Sequence, residues 1–335
     1  MYSIGLDVSK STIAVYIPVN RQHLEIENST RGLKGLYAKL RKLYAKKIDE
    51  LVFVYEPTGS YSVLLNKFCH ERRIRVFMIN PKQSRNYAKA LGRRNKNDKV
   101  DAEVLSGAIV IADETAIRVP TVDAVVEELK ELMSYYKFTV KGRVKASNHL
   151  EALKSREGSR YIVKDLRKRI ETYKKQEKEI LARMLEIIAG DESLQRKFDN
   201  IKTITGIGDI AAIALLHLFV RYPDANRAQI VSLAGIEPVQ SCSGSSVRSR
   251  PKISKAGDKI YRGSLFMSVI VAVRYNMQMK AFYERLKANG KHTTVAQIAV
   301  MRKMILVAFS LYKNDERYDP QKYLQHQGQT KEKAA

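Results

Sequence analysis

The sequence predicts an α/β domain over residues 1–119, a long helical coiled-coil arm over 120–195, and a mostly helical domain over 196–335 with a disordered tail. Three observations predict this order. Up to Pro81, short apolar runs end at an acid or a proline, as strands do. From about residue 120, Gly and Pro become rare and apolar residues take helical spacing. After residue 195, Gly-marked turns separate strongly apolar helical runs.

In order, YSIGLDVS and TIAVYIP read as two strands joined by a turn at Lys10 and Ser11, with HLEIENS as a third. An amphipathic helix is predicted from Gly32 to Lys46. LVFVYE and IRVFMIN read as buried strands, the second stopped by Pro81. Hairpin strands followed by alternating helix and strand are the element order of ribonuclease H-like folds. Leu129, Leu132, Met133, Tyr136 and Val140, then Leu166, Ile170, Tyr173, Ile180, Leu181, Met184 and Leu185, give two long helices folded back near Glu157-Gly158-Ser159. TITGIGDIAAIALL is a Gly-marked turn opening an apolar helix. SLAGIEPV then leads into the loop SCSGSSVRSRPKISKAGD, and YRGSLFMSVIVAVRYN and VAQIAVMRKMILVAFSLY are helical. HQGQTKEKAA reads as a frayed tail.

A chain of 335 residues with 44% hydrophobic content can bury real cores. Sixty Lys and Arg against 35 Asp and Glu leave a net charge of +25, which calls for a polyanion. The sequence shows no apolar run near the roughly 18–20 residues that cross a bilayer. MYSIGLDVSK lacks the marks of a signal peptide. Nucleic acid is therefore expected over membrane, and a cytoplasmic, prokaryotic, nucleoid-associated location. Two cysteines and six scattered histidines argue against a disulfide framework or a zinc site. A metal would be a hard ion on oxygen ligands, Mg²⁺ or Mn²⁺.

Four acids carry the chemistry: Asp7 in IGLDVS, Glu56 in LVFVYEPTGSY, and Asp98 with Asp101 in NKNDKVDAEVL. Two close strands, and two lie three apart on one helical face. Carboxylates converging from several elements are what divalent-metal phosphodiester chemistry requires. Lys82, Arg85, Lys89, Arg93, Arg94 and Lys96 could hold phosphates beside them. Each acid also has a plain reading: Asp7 as a strand end, Glu56 as a turn residue, Asp98 as a helix cap. Sugar kinases and actin-like ATPases open with a similar strand-turn-strand, but they need a Gly-rich phosphate turn where this chain has Val8-Ser9-Lys10-Ser11.

The serine loop has Ser243, Ser245 and Ser246 beside Gly244, then Arg248, Arg250, Lys252, Lys255, Lys259 and Arg262. One reading is a serine nucleophile that holds a cut DNA end covalently. The other is a solvated basic loop touching nucleic-acid backbone. Thr205-Gly206-Ile207-Gly208 resembles a helix-hairpin-helix turn, whose glycines serve either a phosphate or the fold alone.

In this order, IGLDVSK, VYEPTGSY, MINPKQ, RNKNDKVDAEVL, TITGIGDIAA, LAGIEPV, SGSSVRSRPKISKAGD and ANGK resemble the insertion-sequence transposases that join a RuvC-like DEDD domain to a serine-bearing transposase domain. The resemblance covers nearly the whole chain. It implies that Asp7, Glu56, Asp98 and Asp101 bind Mg²⁺ and that Ser243 is the nucleophile, with Ser245 and Ser246 as near alternatives. It implies a structured noncoding bridge RNA that pairs with donor and target DNA. It also implies a homo-oligomer, a dimer of dimers, in which the acids of one subunit meet the serine of another. The runner-up expectations are a RuvC-like nuclease that hydrolyses DNA and a non-catalytic nucleic-acid-binding protein.

Overall fold

The computed structural model describes residues 1–92, 98–240, 242–243, 247–248 and 252–321, with backbone alone at 242–243 and 247–248. The tail HQGQTKEKAA lies outside the described residues. The chain divides into two compact units, Met1–Asp123 and Ala124–Ala335.

The first unit is built on β1 (Tyr2–Val8), β2 (Thr12–Ile17), β3 (Gln22–Glu27), α1 (Thr30–Tyr44), β4 (Leu51–Tyr55), α2 (Val63–Glu71), β5 (Arg75–Met78), α3 (Pro81–Ala90), α4 (Asp98–Gly107) and β6 (Ile117–Arg118). The sheet order is β3-β2-β1-β4-β5-β6. β1, β2 and β3 are antiparallel, β1, β4 and β5 run parallel, and β6 is antiparallel to β5. This is the α/β, ribonuclease H-like arrangement expected of the N-terminal region.

Local chemistry sets the boundaries. Ser29 accepts a hydrogen bond from the Gly32 amide at 3.1 Å, so α1 begins at Thr30 rather than at Gly32. Leu33, Leu36, Leu40 and Tyr44 then form its buried stripe. Asn80 caps α3 and Pro81 occupies its first turn, so Pro81 both stops a strand and starts a helix. β4 is buried on both faces: Leu51, Phe53 and Tyr55 join the core with α1 and α2, while Val52 and Val54 join Leu105 and Ala108 on the other side. Burial on both faces is why its sequence is a continuous apolar run rather than an alternating one.

The second unit opens with α5 (Ala124–Lys154) and α6 (Arg160–Ala189), packed as a hairpin. Glu157 takes a left-handed conformation, and the Gly158 amide closes the end of α5 on the Leu153 carbonyl at 2.8 Å. Arg143–Glu177 at 2.6 Å and Arg183–Glu128 at 2.9 Å tie the two helices. α7 (Glu192–Lys202), α8 (Asp209–Arg221) and α9 (Arg227–Leu233) follow. Next come the short strands β7 (Pro238–Val239), β8 (Cys242–Ser243), β9 (Val247–Arg248) and β10 (Lys252–Ile253), and then α10 (Lys259–Tyr275), α11 (Met277–Ala288) and α12 (Thr293–Asn314). α8 is buried all round from Ala211 to Phe219 and forms the centre of a core shared with α7, α9, α10 and α12. Leu129, Met133, Ile180, Met184 and Ile188 root the hairpin in that same core.

One expectation needs correction. Among the described residues α12 is long and apolar enough to cross a membrane, with a mean hydropathy of 1.5 over its best window. Val300, Met301, Met304, Ile305, Ala308 and Leu311 explain that composition, because they fill the helical core.

Candidate active site

The placement of the acids follows from how α4 lies on β1. Ile4, Leu6 and Val8 point into the core with α1 and α2, so Ser3, Gly5 and Asp7 turn to the opposite face. That face carries α4, which packs on β1, β2 and β4. Gly5 permits the approach: a Cβ there would lie 1.9 Å from the Ala102 carbonyl oxygen and 2.6 Å from the Ser106 nitrogen. The Ser3 and Ser106 hydroxyls sit 3.1 Å apart.

Ser106 over Ser3 and Ala102 over Gly5 mean that α4 runs antiparallel to β1. Two strand residues advance roughly 6.6 Å and four helical residues roughly 6 Å, so continuing this match carries the start of α4, at Asp98, toward the Asp7 end of β1. Asp101 shares that helical face. Glu56 directly follows Tyr55, whose register partner is Leu6, so Glu56 adjoins Asp7. Val52 and Val54 face the α4 side, and position 56 continues their alternation. The four acids thus lie on elements that end at the same side of the sheet: the C-terminal ends of two parallel strands and the N-terminal end of α4. The helix dipole there favours anions. Asp7, Glu56 and Asp101 are half-buried and Asp98 is exposed.

A residue outside the sequence-derived set braces this edge. Asn28 Nδ2 donates to the Ser9 carbonyl at 2.9 Å and to the Tyr61 carbonyl at 3.0 Å. Its backbone amide donates to the Ser11 carbonyl at 2.8 Å. Asn28 therefore ties the loop after Asp7 to the loop after Glu56. Its only signal in the sequence was a carboxamide at the end of a strand, in ENSTRG.

Among the described residues, no three His, Cys, Asp or Glu side chains gather closely enough to hold a metal ion. The donor chemistry nevertheless fits a hard divalent cation, since the acids brought to one edge offer oxygen alone. Two buried oxygens in the same loops, Asn28 Oδ1 and Thr58 Oγ1, have no hydrogen-bond partner. Buried polar atoms of this kind need a ligand or water.

Lys82, Arg85 and Lys89 are exposed on α3. Arg93, Arg94 and Lys96 lie outside the described residues. Ser243 belongs to the second unit, on a two-tier ribbon. β7 pairs with β10 (Val239 with Lys252, Pro238 with Ile253), and inside that pair β8 meets β9, with Ser243 opposite Val247. Lys252 and Lys255 are exposed at its base, and Lys255 is left-handed at φ 55°. The backbone of Arg248 lies in β9, while Ser245, Ser246 and Arg250 fall outside the described residues.

The TGIG turn joins α7 to α8. Gly206 has φ 106°, and a Cβ there would press on Ala272 and Ser268 of α10 at 2.9 Å. Packing is a sufficient reason for this glycine. Gly208 faces open space.

On α8, in the core of the second unit, His217 is buried. Its Nε2 meets the Val126 carbonyl at 3.1 Å and must donate to it, so Nδ1 accepts the Tyr261 hydroxyl at 3.0 Å. Burial first, then the charges of Arg221 and Lys130, push its pKa down to about 4.

An acid edge on a ribonuclease H-like sheet, followed by a helical unit bearing a serine ribbon, is matched by transposase family models in both units. One, described as a transposase with the DEDD motif of IS110, matches residues 4–154; the other, described as transposase IS116/IS110/IS902 family, matches residues 199–284. The chain is thus an enzyme of the DNA transposase and recombinase class, and it belongs to the IS110 family of transposases. It is similar to the pilin gene-inverting protein of Moraxella bovis, 26% identical over 94% of this chain and 97% of that protein. The pilin gene-inverting protein of Moraxella lacunata is equally similar, at 26% over the same shares. The IS110 insertion-element 43.6 kDa protein of Streptomyces coelicolor is 25% identical over 35% of this chain and 29% of its own length.

Proposed function

We propose that this transposase cuts and rejoins donor and target DNA through a covalent link to Ser243, with Asp7, Glu56, Asp98 and Asp101 acting on the same phosphate. The observations that support the reading are Gly5 packed against the Ala102 backbone and Leu6 paired with Tyr55, which turn Asp7, Glu56 and the start of α4 toward the same end of the sheet. Those acids would hold Mg²⁺ or Mn²⁺, which supplies Lewis acidity at a phosphate oxygen when bound. The chain's own residues do the rest. The Ser243 hydroxyl oxygen forms a bond to phosphorus as the bond from phosphorus to the 3′ oxygen breaks. The serine loses its proton and the 3′ oxygen gains one. The DNA is left with a free 3′ hydroxyl and a 5′ phosphate on the serine. In rejoining, a 3′ hydroxyl of the other DNA attacks that phosphate and the serine is released.

Bond energy is conserved throughout, which suits a recombinase. The relatives named for inverting a pilin gene support this, since an inverted segment must be cut and joined again. The net charge of +25 supports a second polyanion, and we assign it to a structured bridge RNA that pairs with donor and target DNA while the protein holds backbone. Arg85, Arg93, Arg94 and Lys96 would contact nucleic acid beside the acids, and Arg248, Arg250, Lys252 and Lys255 beside the serine. The working form is a dimer of dimers, consistent with the exposed apolar stripe Met267, Val271 and Tyr275 on α10. Its place of action is the prokaryotic cytoplasm, on the nucleoid when bound to DNA.

A denaturing gel with end-labelled DNA tests the chemistry. Wild-type protein should give a covalent protein–DNA species. Ser243→Ala should give none while still binding RNA, and Asp101→Asn should block cleavage without unfolding the protein. Cut ends released without any adduct would favour plain metal-dependent hydrolysis instead.

A further inference from the structure

The second unit contains a crowd of cations that form no ion pair among the described residues. Lys137 and Lys141 lie one turn apart on α5, and Lys259 and Arg262 lie in the first turn of α10. The Lys137 Nζ sits 3.4 Å from where a Cβ on Gly263 would be, so the two helices share this charge. Nearby carboxylates are engaged elsewhere: Glu128 pairs with Arg183 at 2.9 Å, Glu127 with Arg221 at 3.4 Å, and Asp258 caps the Ile260 amide at 2.9 Å. Burial lowers the Lys137 pKa, and Lys141, Lys259 and Arg262 lower it further against a pull from Asp258.

The surface is firmly built. A cavity of about 170 Å³ adjoins it, lined by Lys130, Arg221, Tyr222, Gly257, Asp258 and Tyr261 among others. Arg262 Nη1 donates to the Ala234 and Gly257 carbonyls at 3.0 and 2.9 Å. Gly257 is pressed against the Leu233 carbonyl, where a Cβ would lie at 1.8 Å. His217 fixes the Tyr261 ring through its hydroxyl.

Like charges held together this way raise the free energy of the unbound protein and fall in energy when an anion arrives. The row from Lys130 through Lys137 to Lys141 spans roughly 16 Å of α5 at 1.5 Å per residue. A strand of duplex presents a phosphate about every 3.4 Å along its axis, so the row matches several phosphates rather than one. At its Lys130 end the row lines the same cavity as Ala256 and Gly257, which follow Lys255 directly in the chain.

We propose that the trough formed by Lys130, Lys137, Lys141, Lys259 and Arg262 binds the phosphodiester backbone of a polynucleotide and guides it to the foot of the serine ribbon. This rests on the reading of the ribbon as the site of strand cleavage. The ligand chemistry is shared by DNA and RNA, and the test separates them.

Full-length protein carrying Lys137→Ala and Lys141→Ala is titrated against a labelled DNA duplex and a labelled RNA duplex of equal length over a range of salt. Each lost phosphate contact makes the slope of log K against log salt shallower by about 0.9 on B-form DNA, so the double variant should lose about 2 from that slope. Affinity should fall at least tenfold at moderate salt. A change for one duplex alone identifies which nucleic acid lies in the trough. Lys168→Ala with Lys178→Ala, exposed on α6, removes the same charge elsewhere and should leave the slope alone. Relief of repulsion should leave the melting temperature of the trough variant equal or higher. If that variant is unstable, Lys141→Ala alone, at an exposed position, should still cost about 0.9 in slope. Unchanged slopes for both duplexes, or an equal loss in the α6 control, would overturn the proposal. Covalent-adduct formation is read separately, so failure of the cleavage mechanism and failure of the trough are distinguishable.

Discussion

The acid edge and the serine ribbon are built in opposite ways. The edge is set by long-range structure. A six-stranded sheet fixes which residues adjoin, and a glycine in β1 brings a helix backbone into contact with it. The ribbon consists of pairs of two-residue strands between α9 and α10, with few ladder bonds of its own. The difference teaches that Asp7 and Glu56 sit on strands fixed by a large sheet, whereas Ser243 sits on a short appendage of the second unit's core. On the proposed mechanism, charge held by a rigid sheet and a nucleophile on a short ribbon would divide the work of cutting and exchanging two DNAs.

The contrast can be broken most severely at Asp7. Asp7→Asn keeps the shape of β1 and removes one charge, and strand cleavage measured on labelled DNA should fall by about 10³-fold. The next effect belongs to the second unit. His217 is neutral in the fold, with a pKa of about 4 against 6.5 unfolded. The unfolded chain binds its proton first as pH falls, so stability is intact above about 6.5 and is lost progressively down to about 4. The loss amounts to about 3 kcal/mol. Urea midpoints across that range should show it, and a His217→Gln variant should lose that part of the slope.

Gly5→Val tests how far the edge depends on close approach. Its Cβ would collide with the Ala102 carbonyl, which should cost about 1–3 kcal/mol and displace α4 from Asp7. Equilibrium unfolding should detect the first effect and cleavage assays the second. Asn28→Ala is the mildest test. Losing its two side-chain bonds between the Ser9 and Tyr61 loops should cost about 1 kcal/mol. Cleavage should slow more than that stability loss explains, because Asp7 and Glu56 lose their common brace. Unaltered cleavage in Asn28→Ala would remove its positioning role.

Much of this was readable from residue types. The apolar runs ending in Asp7 and just before Glu56 mark β1 and β4, and the acidic pair at Asp98 and Asp101 marks the start of α4. The hairpin break at Glu157-Gly158 is equally plain, although Glu157 takes the left-handed turn while Gly158 leaves room for the Leu153 side chain. What escaped depends on contacts between distant residues. Asn28 looks like any polar residue at a strand end until its partners Ser9 and Tyr61 are known. α11 leaves little mark in the sequence, because MQMKAFYERLKA has a weakly segregated face and is held by burial of Met279 and Gln278. Gly206 could serve a phosphate or a packed helix equally well in sequence, and only the proximity of Ala272 reveals the packing.

The most direct test of the central claim is to digest the covalent protein–DNA species and locate the modified peptide by mass spectrometry, in wild-type protein and in Asp7→Asn. The account predicts the nucleotide remnant on Ser243 in the wild type and no modified peptide in the variant. A remnant on another residue, or undiminished modification in Asp7→Asn, would contradict it.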